Sequence, residues 1–216
     1  MMISVGVVGA TGLVGATMIS MLQERSFPVD HFHAFASVES RGKTVKFRNQ
    51  NYPVEIITPE TICKGIILFG ATSAEVAEKW IPPCIEYGAA IIDNSSAFRM
   101  NPDVLLAVPE VNGHLIKGTE SLIANPNCST IQLVAALAPL AAVRNIRWVS
   151  VATYQAVSGA GSPSLNELSR QQDKMAIEPG TPRLHENIIT SIGLPDTDGY
   201  CAEELKLIHE TCKIMN

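Results

Sequence analysis

The chain has 216 residues, a formal net charge of −5 and a sequence pI near 5.5, which suits one large domain or two small ones. Apolar residues make up 46% of the chain and charged residues only 17%, so it can build a core but lacks the basic face of a nucleic-acid-binding protein. It has neither a basic signal-peptide region nor an apolar run of about 18 residues, so we expect no secretion and no membrane span. The five cysteines form no CxxC pair, which predicts no metal site. Their odd number, without a signal peptide, favours a reducing, cytoplasmic compartment.

The chain opens with a pattern typical of a dinucleotide-binding fold. Residues 3–8 form an apolar run of strand length, the glycine-rich stretch 9–15 follows at once, and residues 16–22 have helical character. In such a unit the glycines let the backbone approach a pyrophosphate at the helix N-terminus. The spacing is GxxGxxG rather than GxGxxG, so a purely structural turn stays an alternative. The predicted cofactor contacts are Gly9, Thr11, Gly12, Leu13 and Val14.

The second predicted strand, residues 33–36, ends in a loop that bears on the choice of cofactor. In a dinucleotide fold the end of this strand contacts the adenosine ribose, where an acidic residue favours NAD and hydroxyls or an arginine suit the 2′-phosphate of NADP. Ser37, Ser40 and Arg41 favour NADP, whereas Glu39 opposes it. A solvated loop without a cofactor role is the alternative.

The next part of the chain predicts more of the same sheet. Residues 45–57 predict a short antiparallel excursion, and a strand at 66–72 ends in small residues, including Thr72, that suit packing under a cofactor. A helix is predicted at 74–87, and we expect Pro82-Pro83 to interrupt it.

The strand predicted at 89–93 is followed by a polar loop, residues 94–99. Ligands bind at the carboxyl ends of parallel strands, so Asn94 and Ser95 are candidate cofactor contacts. The planar fork of Arg99 matches a carboxylate or a phosphate, which makes it a candidate anion clamp. An ordinary surface salt bridge is the alternative for Arg99.

The stretch 125–132 joins a strand-like run at 122–124 to an apolar helical run at 131–140. Cys128 therefore lies at a strand-to-helix turn, where free N–H groups and the helix dipole stabilise an anion such as a thiolate. The amide of Asn127 can donate to a developing oxyanion. A small, buried and unreactive cysteine is the alternative, but the setting predicts a nucleophile.

The rest of the chain has weaker patterns. A strand is predicted at 146–153, and Gln155 lies in the small-residue loop that follows it. A helix is predicted at 164–175, and the stretch 178–199 is rich in Pro, Gly and Asp, which predicts irregular structure.

The last predicted element is an amphipathic helix at 202–214. Its apolar face is predicted to carry Leu205, Ile208 and Cys212. Glu203 and Lys206 lie three residues apart and can share a face, where an ordinary solvated salt bridge is the simplest expectation.

Several segments, taken in order, match the motifs of one enzyme family. They are GATGLVG near the N-terminus, DNSSAFR at 93–99, VPEVN at 108–112, NPNCSTIQ at 125–132, TYQAVSGAG at 153–161 and EELKLIHETCKIM at 203–215. With these motifs the chain resembles the bacterial aspartate-β-semialdehyde dehydrogenases over nearly its whole length. The resemblance implies an α/β fold, with a Rossmann-type doubly wound parallel sheet in an NADP-binding domain (1–130) and part of a second α+β catalytic and dimerisation domain (131–216).

The resemblance also implies an activity and roles for named residues. The family is NADP-dependent, usually homodimeric, and interconverts aspartyl-4-phosphate and aspartate semialdehyde through a cysteine thioester, on the route to diaminopimelate, lysine, threonine, methionine and isoleucine. Carried over, Cys128 is the acylated nucleophile, Gln155 orients the substrate and Asn127 frames the acyl site. The remaining roles are phosphate binding by Arg99 and Lys206, binding of the substrate amino group by Glu203, a substrate contact at Ser158 and a nicotinamide contact at Gly159.

The chain also departs from the family pattern. The family's catalytic histidine and its later carboxylate-binding arginine lie downstream of the segment matching 203–215, so we expect a functional chain to continue past Asn216. Residues 1–216 alone are expected to be nearly inactive and to expose apolar surface. The stretch 162–200 is shorter than usual, and Glu39 stands where many relatives have an arginine. Two alternatives stay open: a non-catalytic remnant that binds nucleotide or a partner subunit, and a relative of the N-acetyl-glutamyl-phosphate reductases.

Overall fold

A computed structural model describes residues 2–216, in which eight strands form a single sheet. The strands are β1 (Ser4–Val8), β2 (His31–Phe35), β3 (Thr44–Phe47), β4 (Gln50–Glu55), β5 (Ile67–Gly70), β6 (Ala90–Asp93), β7 (Leu105–Leu106) and β8 (Leu122–Ala124). The helices are α1 (Leu13–Glu24), α2 (Ala74–Glu86), α3 (Pro109–Asn112), α4 (Cys128–Ala141), α5 (Ser162–Gln172) and α6 (Ala202–Met215).

The strand order is β3-β4-β2-β1-β5-β6-β8-β7, and every pairing is parallel except that of β3 with β4. From β1 the chain first builds the sheet outward through β2 and β4, and then returns to the other side of β1 with β5. This reversal is the switch point of a doubly wound fold, where ligands bind outside the carboxyl ends of the strands. The predicted α/β fold with a parallel sheet is confirmed, and the predicted antiparallel excursion is the β3–β4 hairpin.

Two clusters of buried side chains cover the two faces of this sheet. Successive residues of β5 show the alternation that a strand requires, because Leu68 belongs to one cluster whereas Ile67 and Phe69 pack against the other. Helix α1 contributes Ile19 to the second cluster. Helices α2, α4 and α6 contribute to the first, through side chains such as Ile81, Val134 and Ile214.

Helix α2 continues through Pro82 and Pro83, so the predicted interruption is wrong. Each proline removes one N–H donor, and the carbonyls that lose their partner belong to residues four positions earlier. Those residues are Glu78 and Lys79, both exposed on the helix surface, where water can satisfy the carbonyls. Trp80, Ile81 and Cys84 meanwhile keep the buried face of the helix in the core.

The chain divides into two compact units. One runs up to Asn145 and takes in Leu207–Asn216, and the other is Ile146–Lys206. The predicted domain boundary after residue 130 stays a prediction. Among residues 2–216 no helix combines the length and the apolar character that a bilayer crossing requires.

The second unit has less regular structure than predicted. Residues 145–156 are neither helix nor strand, so the strand predicted at 146–153 is wrong. The sequence pattern suits a strand, but a strand needs a neighbour to pair its N–H and C=O groups, and none lies beside this segment in the described part of the chain. Most of its apolar side chains are exposed instead, with Trp148 at 80% and Tyr154 at 89%.

The two later helices lie where they were predicted, and residues 173–201 between them are irregular apart from an isolated bridge. The apolar face predicted for α6 is wrong. Ile208 and Cys212 are exposed, whereas Glu210 and Ile214 are buried. The buried face therefore carries a charged residue, which an apolar-periodicity rule passes over.

Candidate active site

The carboxyl ends of the central strands bring many predicted site residues to one edge of the sheet. The glycine loop follows β1, Thr72 follows β5, the loop of Asn94 and Arg99 follows β6, and the Cys128 turn follows β8. Three backbone hydrogen bonds join neighbouring strand exits: Ala71 N–H to Val8 O (2.8 Å), Asn94 N–H to Gly70 O (3.0 Å) and Asn125 N–H to Asp93 O (2.7 Å).

The glycine loop is tightly folded at its base and open at its tip. Gly9 has a φ of +89°, and a Cβ on Gly15 would lie 2.1 Å from the carbonyl oxygen of Gly9, so both positions require glycine. By contrast, Thr11 and Gly12 are exposed at the tip. Gly12 is also the N-cap of α1, and no side chain caps this helix. The first N–H groups of α1 therefore suit an external anion such as a pyrophosphate.

The loop after β2 contacts the glycine loop through one of the predicted hydroxyls. Ser40 is buried, and its Oγ lies 3.1 Å from Oγ1 of Thr11. Ser37 and Arg41 are exposed. Hydrogen bonds, first from the Ser37 side chain, hold the pKa of the exposed Glu39 carboxyl below its usual value, so Glu39 is ionised at neutral pH, two residues from the Arg41 cation.

Three predicted cofactor contacts already have partners within the protein. Thr72 Oγ1 accepts a hydrogen bond from the indole of Trp80 at 3.2 Å. The hydroxyl of Ser95 donates to the buried Asp93 carboxylate at 2.5 Å. Asn94 Oδ1 accepts from Asn125 Nδ2 at 2.6 Å. These bonds shape the loops that line the switch point, and any cofactor role of the three side chains stays a prediction.

Helix α4 begins at Cys128, whose side chain is exposed. Asn127 is the N-cap, and its Oδ1 accepts from the N–H groups of Ser129 (2.9 Å) and Thr130 (3.4 Å). The Asn127 N–H donates to Glu210. The Cys128 N–H is thus the one donor of this helix start that has no partner within residues 2–216. It can serve a developing oxyanion beside its own sulfur.

Arg99 is buried and paired, not a surface salt bridge. Its Nη1 donates to Glu210 Oε1 at 3.1 Å, and its Nη2 donates to the backbone carbonyl of Asn94 at 2.8 Å. The two side chains of the ion pair are only 9% and 2% exposed. Arg99 therefore has a defined orientation at the end of β6 before any ligand binds.

Lys213 holds the same loop from α6. Its Nζ donates to the carbonyls of Arg99 (2.7 Å), Asn101 (2.6 Å) and Val104 (2.9 Å), and burial lowers its pKa.

The sequence patterns did not identify Glu210 and Lys213 as site residues. The spacing of Glu210 four residues before the apolar Ile214 was the available signal, since it puts a charge on the buried helical face.

The remaining predicted site residues lie in the second unit. Gln155 is exposed, and its Oε1 accepts a hydrogen bond from Thr153 at 3.1 Å. Ser158 and Gly159 are exposed in a single 3₁₀ turn, Val157–Ala160. Glu203 and Lys206 form an ion pair of 2.9 Å one turn apart on α6. Their catalytic and binding roles stay predictions. Within residues 2–216 no group of His, Cys, Asp and Glu side chains is placed to hold a metal ion.

We expect Cys128 to react with iodoacetamide before the other four cysteines. It is exposed at a helix start that stabilises a thiolate, whereas burial raises the pKa of Cys84 to about 11. Brief labelling at pH 8 followed by peptide mass spectrometry gives the order. Exposed Cys63 and Cys212 serve as references within the same molecule, and labelling of either at the rate of Cys128 would argue against a nucleophilic role.

Comparison with known proteins identifies relatives for both parts of the chain. A family profile described as "Semialdehyde dehydrogenase, NAD binding domain" matches residues 4–119, and one described as "Semialdehyde dehydrogenase, dimerisation domain" matches residues 137–216. The aspartate-semialdehyde dehydrogenase of Aquifex aeolicus is 41% identical over 98% of the chain, and aspartate-semialdehyde dehydrogenase 2 of Vibrio cholerae is 40% identical over 99%. The chain spans 65% and 66% of the length of these two relatives.

Solved structures of aspartate-semialdehyde dehydrogenases are also similar to this chain. The aspartate semialdehyde dehydrogenase II of Vibrio cholerae matches with a TM-score of 0.91 at 37% identity, covering 100% of this chain and 67% of that protein, and a second structure of it is complexed with ASA. The enzyme from Candida albicans, solved with NADP, matches with a TM-score of 0.51 at 28% identity over 66% of this chain and 47% of that one.

Proposed function

Since the chain belongs to the semialdehyde dehydrogenase family and is a homologue of the aspartate-semialdehyde dehydrogenases, we propose that it carries the nucleophile and the cofactor site of an enzyme that converts aspartyl-4-phosphate into aspartate semialdehyde with NADPH. The observation that carries the proposal is the exposed Cys128 at the first position of α4, beside its own unpartnered N–H. A cysteine at a strand-to-helix turn at the carboxyl edge of a parallel sheet suits covalent catalysis on a ligand held at that edge.

The proposed first step is acyl transfer to sulfur. The Cys128 thiolate attacks the acyl carbon of aspartyl-4-phosphate, a carbon–sulfur bond forms, and phosphate leaves with the electrons of the carbon–oxygen bond. The oxyanion that develops in this step accepts a hydrogen bond from the Cys128 N–H. Capping of the next two N–H groups by Asn127 keeps this donor in place.

Anion binding is the second proposed role of the site. The substrate and the leaving group are both anionic, so an acidic protein needs local positive charge to bind them. We assign phosphate binding to Arg99 and Lys206, substrate-amino binding to Glu203, and substrate contacts to Gln155 and Ser158. Arg99 supports the assignment best, because it is already oriented and desolvated.

Residues 4–119 match the NAD-binding domain of the family. The uncapped N-terminus of α1 and the exposed loop tip at Thr11 and Gly12 fit a dinucleotide pyrophosphate. When bound, the nicotinamide supplies the hydride that reduces the thioester to the aldehyde. The residues proposed to hold NADP are Gly9, Thr11, Gly12, Leu13, Val14, Ser37, Ser40, Arg41, Thr72, Asn94, Ser95 and Gly159.

Residues 137–216 match the dimerisation domain of the family, and we propose that the protein forms a homodimer.

Trapping of the acyl-enzyme tests the proposal. The chain is mixed with freshly prepared aspartyl-4-phosphate, quenched in acid and analysed by peptide mass spectrometry. We expect an aspartyl adduct on the Cys128 peptide and none in Cys128→Ser, while both proteins bind NADPH equally because nucleophile and cofactor loop follow different strands. A parallel reaction with N-acetyl-glutamyl-phosphate tests the alternative, because a relative of the N-acetyl-glutamyl-phosphate reductases would form its adduct from that substrate instead. Absence of the aspartyl adduct from a chain whose Cys128 alkylates rapidly would disprove the acyl-transfer role.

The charge of Glu39 is expected to limit the preference for NADPH. Glu39 is exposed and ionised in the loop after β2, where it repels a 2′-phosphate. Glu39→Gln should tighten NADPH binding severalfold and leave NADH binding unchanged, because only NADPH carries the additional charge. Fluorescence titration with both nucleotides gives the ratio. Glu24→Gln, at the exposed end of α1, is the matched control, and equal effects on NADPH and NADH would contradict this assignment.

A further inference from the structure

The carboxylate of Glu210 connects the two loops that the proposed function uses. Glu210 is only 1% exposed. Its Oε1 accepts from Nη1 of Arg99 at 3.1 Å, and its Oε2 accepts from the Asn127 N–H at 2.6 Å. One side chain thus binds both the candidate phosphate-binding arginine and the residue that precedes the candidate nucleophile.

We infer that Glu210 is a positioning residue, which fixes the guanidinium of Arg99 and the backbone before Cys128 relative to each other. The inference rests on the proposed function, since it assigns to Glu210 the preorganisation of the anion site and the nucleophile turn. Glu210 touches neither substrate nor cofactor in this role and acts through Arg99 and Asn127.

The hydrogen bonds of Arg99 show what this positioning achieves. A guanidinium has five N–H donors. One on Nη1 goes to Glu210, one on Nη2 goes to the carbonyl of Asn94, and the Nε donor is sealed from solvent without a partner in the described chain. One N–H on each Nη group remains for an anion. An arginine fixed in this way has lost its rotamer freedom before the anion arrives, so binding does not have to order it.

The second contact of Glu210 fixes the nucleophile turn. The Asn127 N–H is one of the four donors at a helix start that lack an intrahelical partner. Glu210 accepts it, and the Asn127 side chain accepts the donors of Ser129 and Thr130. The helix start is then fully paired except at Cys128, so the position of that remaining donor depends on Glu210.

Binding of inorganic phosphate to protein with ¹⁵N-labelled arginine side chains tests the inference. The Arg99 signal is identified by its loss in Arg99→Ala. We expect Glu210→Gln to weaken phosphate binding about tenfold, the equivalent of one charge-assisted hydrogen bond, because an NH2 group, which is only a donor, replaces one of the two oxygens that accept from Arg99 and Asn127. Added to Arg99→Ala, Glu210→Gln should cause no further loss of phosphate binding, since Glu210 acts through Arg99; these two variants lack the Arg99 signal, so calorimetric titration with phosphate compares them. Glu78→Gln, the same change at an exposed position of α2, should change nothing.

Two checks separate positioning from loss of the fold. Iodoacetamide must leave the buried Cys84 unlabelled in every variant that is compared. If Glu210→Gln exposes Cys84, Glu210→Asp replaces it, because the shorter side chain keeps the charge but cannot reach both partners. Weaker phosphate binding by folded Glu210→Asp is the expected result.

The outcomes distinguish the inference from the proposed function. A folded Glu210 variant that binds phosphate as tightly as the unsubstituted chain would overturn the positioning role alone. If phosphate leaves the Arg99 signal of the unsubstituted chain unchanged, the anion site itself is wrong, and the inference falls with it.

Discussion

Arg99→Met is expected to lower the free energy of unfolding of the first unit by about 3–5 kcal/mol, as for other buried ion pairs that lose one partner. The substitution leaves the Glu210 carboxylate almost fully buried without its cation, since that side chain is 2% exposed. It also removes the donor to the carbonyl of Asn94. The expected loss is a large part of the stability of an ordinary domain, which is about 5–15 kcal/mol.

Combining Glu210→Met with Arg99→Met tests whether the two buried charges are energetically coupled. Removing both charges leaves no uncompensated ion, although the Asn127 N–H and the Asn94 carbonyl still lose a partner. The double variant should therefore be less destabilised than the sum of the two single variants, by about 1–3 kcal/mol. Additive losses would show that the pair is not coupled.

Urea unfolding followed by Trp80 measures these changes in the first unit alone. The chain has two tryptophans; Trp80 is buried in α2, and Trp148 is 80% exposed in the second unit, so Trp148→Phe is used as the background. Arg25→Met, at the exposed end of α1, is the matched control and should change stability by no more than about 0.5 kcal/mol.

Gly15→Ala is expected to damage both the stability and the dinucleotide binding of the first unit. The added Cβ would lie 2.1 Å from the Gly9 oxygen and 2.9 Å from the Ala10 Cα, and these are backbone atoms that no side-chain rotation can move. Helix α1 must therefore shift away from the loop, at about 1–3 kcal/mol or more. Because the shift moves the helix start, NADPH affinity should fall tenfold or more.

Two other glycines separate the causes. A Cβ on Gly12 has one close neighbour, the Gly9 oxygen at 3.3 Å, so Gly12→Ala should cost about 1 kcal/mol or less as an N-cap change. If the loop tip contacts the pyrophosphate, this variant still loses NADPH affinity. Gly113→Ala, whose Cβ would make an ordinary 3.5 Å contact, should change neither the free energy of unfolding nor the NADPH affinity. Unfolding by urea and NADPH fluorescence titration give both quantities, and a Gly15→Ala variant with normal values would refute the close-packing argument.

Local patterns sufficed to predict every strand of the sheet except the two-residue β7, and the two turns at its carboxyl edge. The run at residues 5–8 shows no apolar/polar alternation because both faces of β1 are covered: Val5 and Val7 belong to one buried cluster and Val8 to the other. The glycine loop follows from a backbone approach that only glycine permits. Cys128 could be placed at a helix start because strand and helix patterns meet there within a few residues.

Contacts between distant segments could not be predicted in this way. Pro82 and Pro83 are tolerated because the residues whose carbonyls they leave unpaired, Glu78 and Lys79, are exposed, which depends on how α2 packs. The segment at 146–153 has a strand pattern, but pairing depends on a neighbour that the pattern does not contain. Glu210 is buried because Arg99 lies opposite it, and the two are 111 residues apart along the chain.

That separation also determines when the site can form during synthesis. The sheet and its glycine loop use no residue beyond Ala124, so all of their strands are available before α6 is translated. The Arg99 loop and the Cys128 turn stay without their partners until Glu210 and Lys213 have been translated, since these bonds span 83 to 114 residues. A growing chain would thus be able to form the glycine loop first and complete the hydrogen bonds around the Cys128 turn only after α6 has been translated.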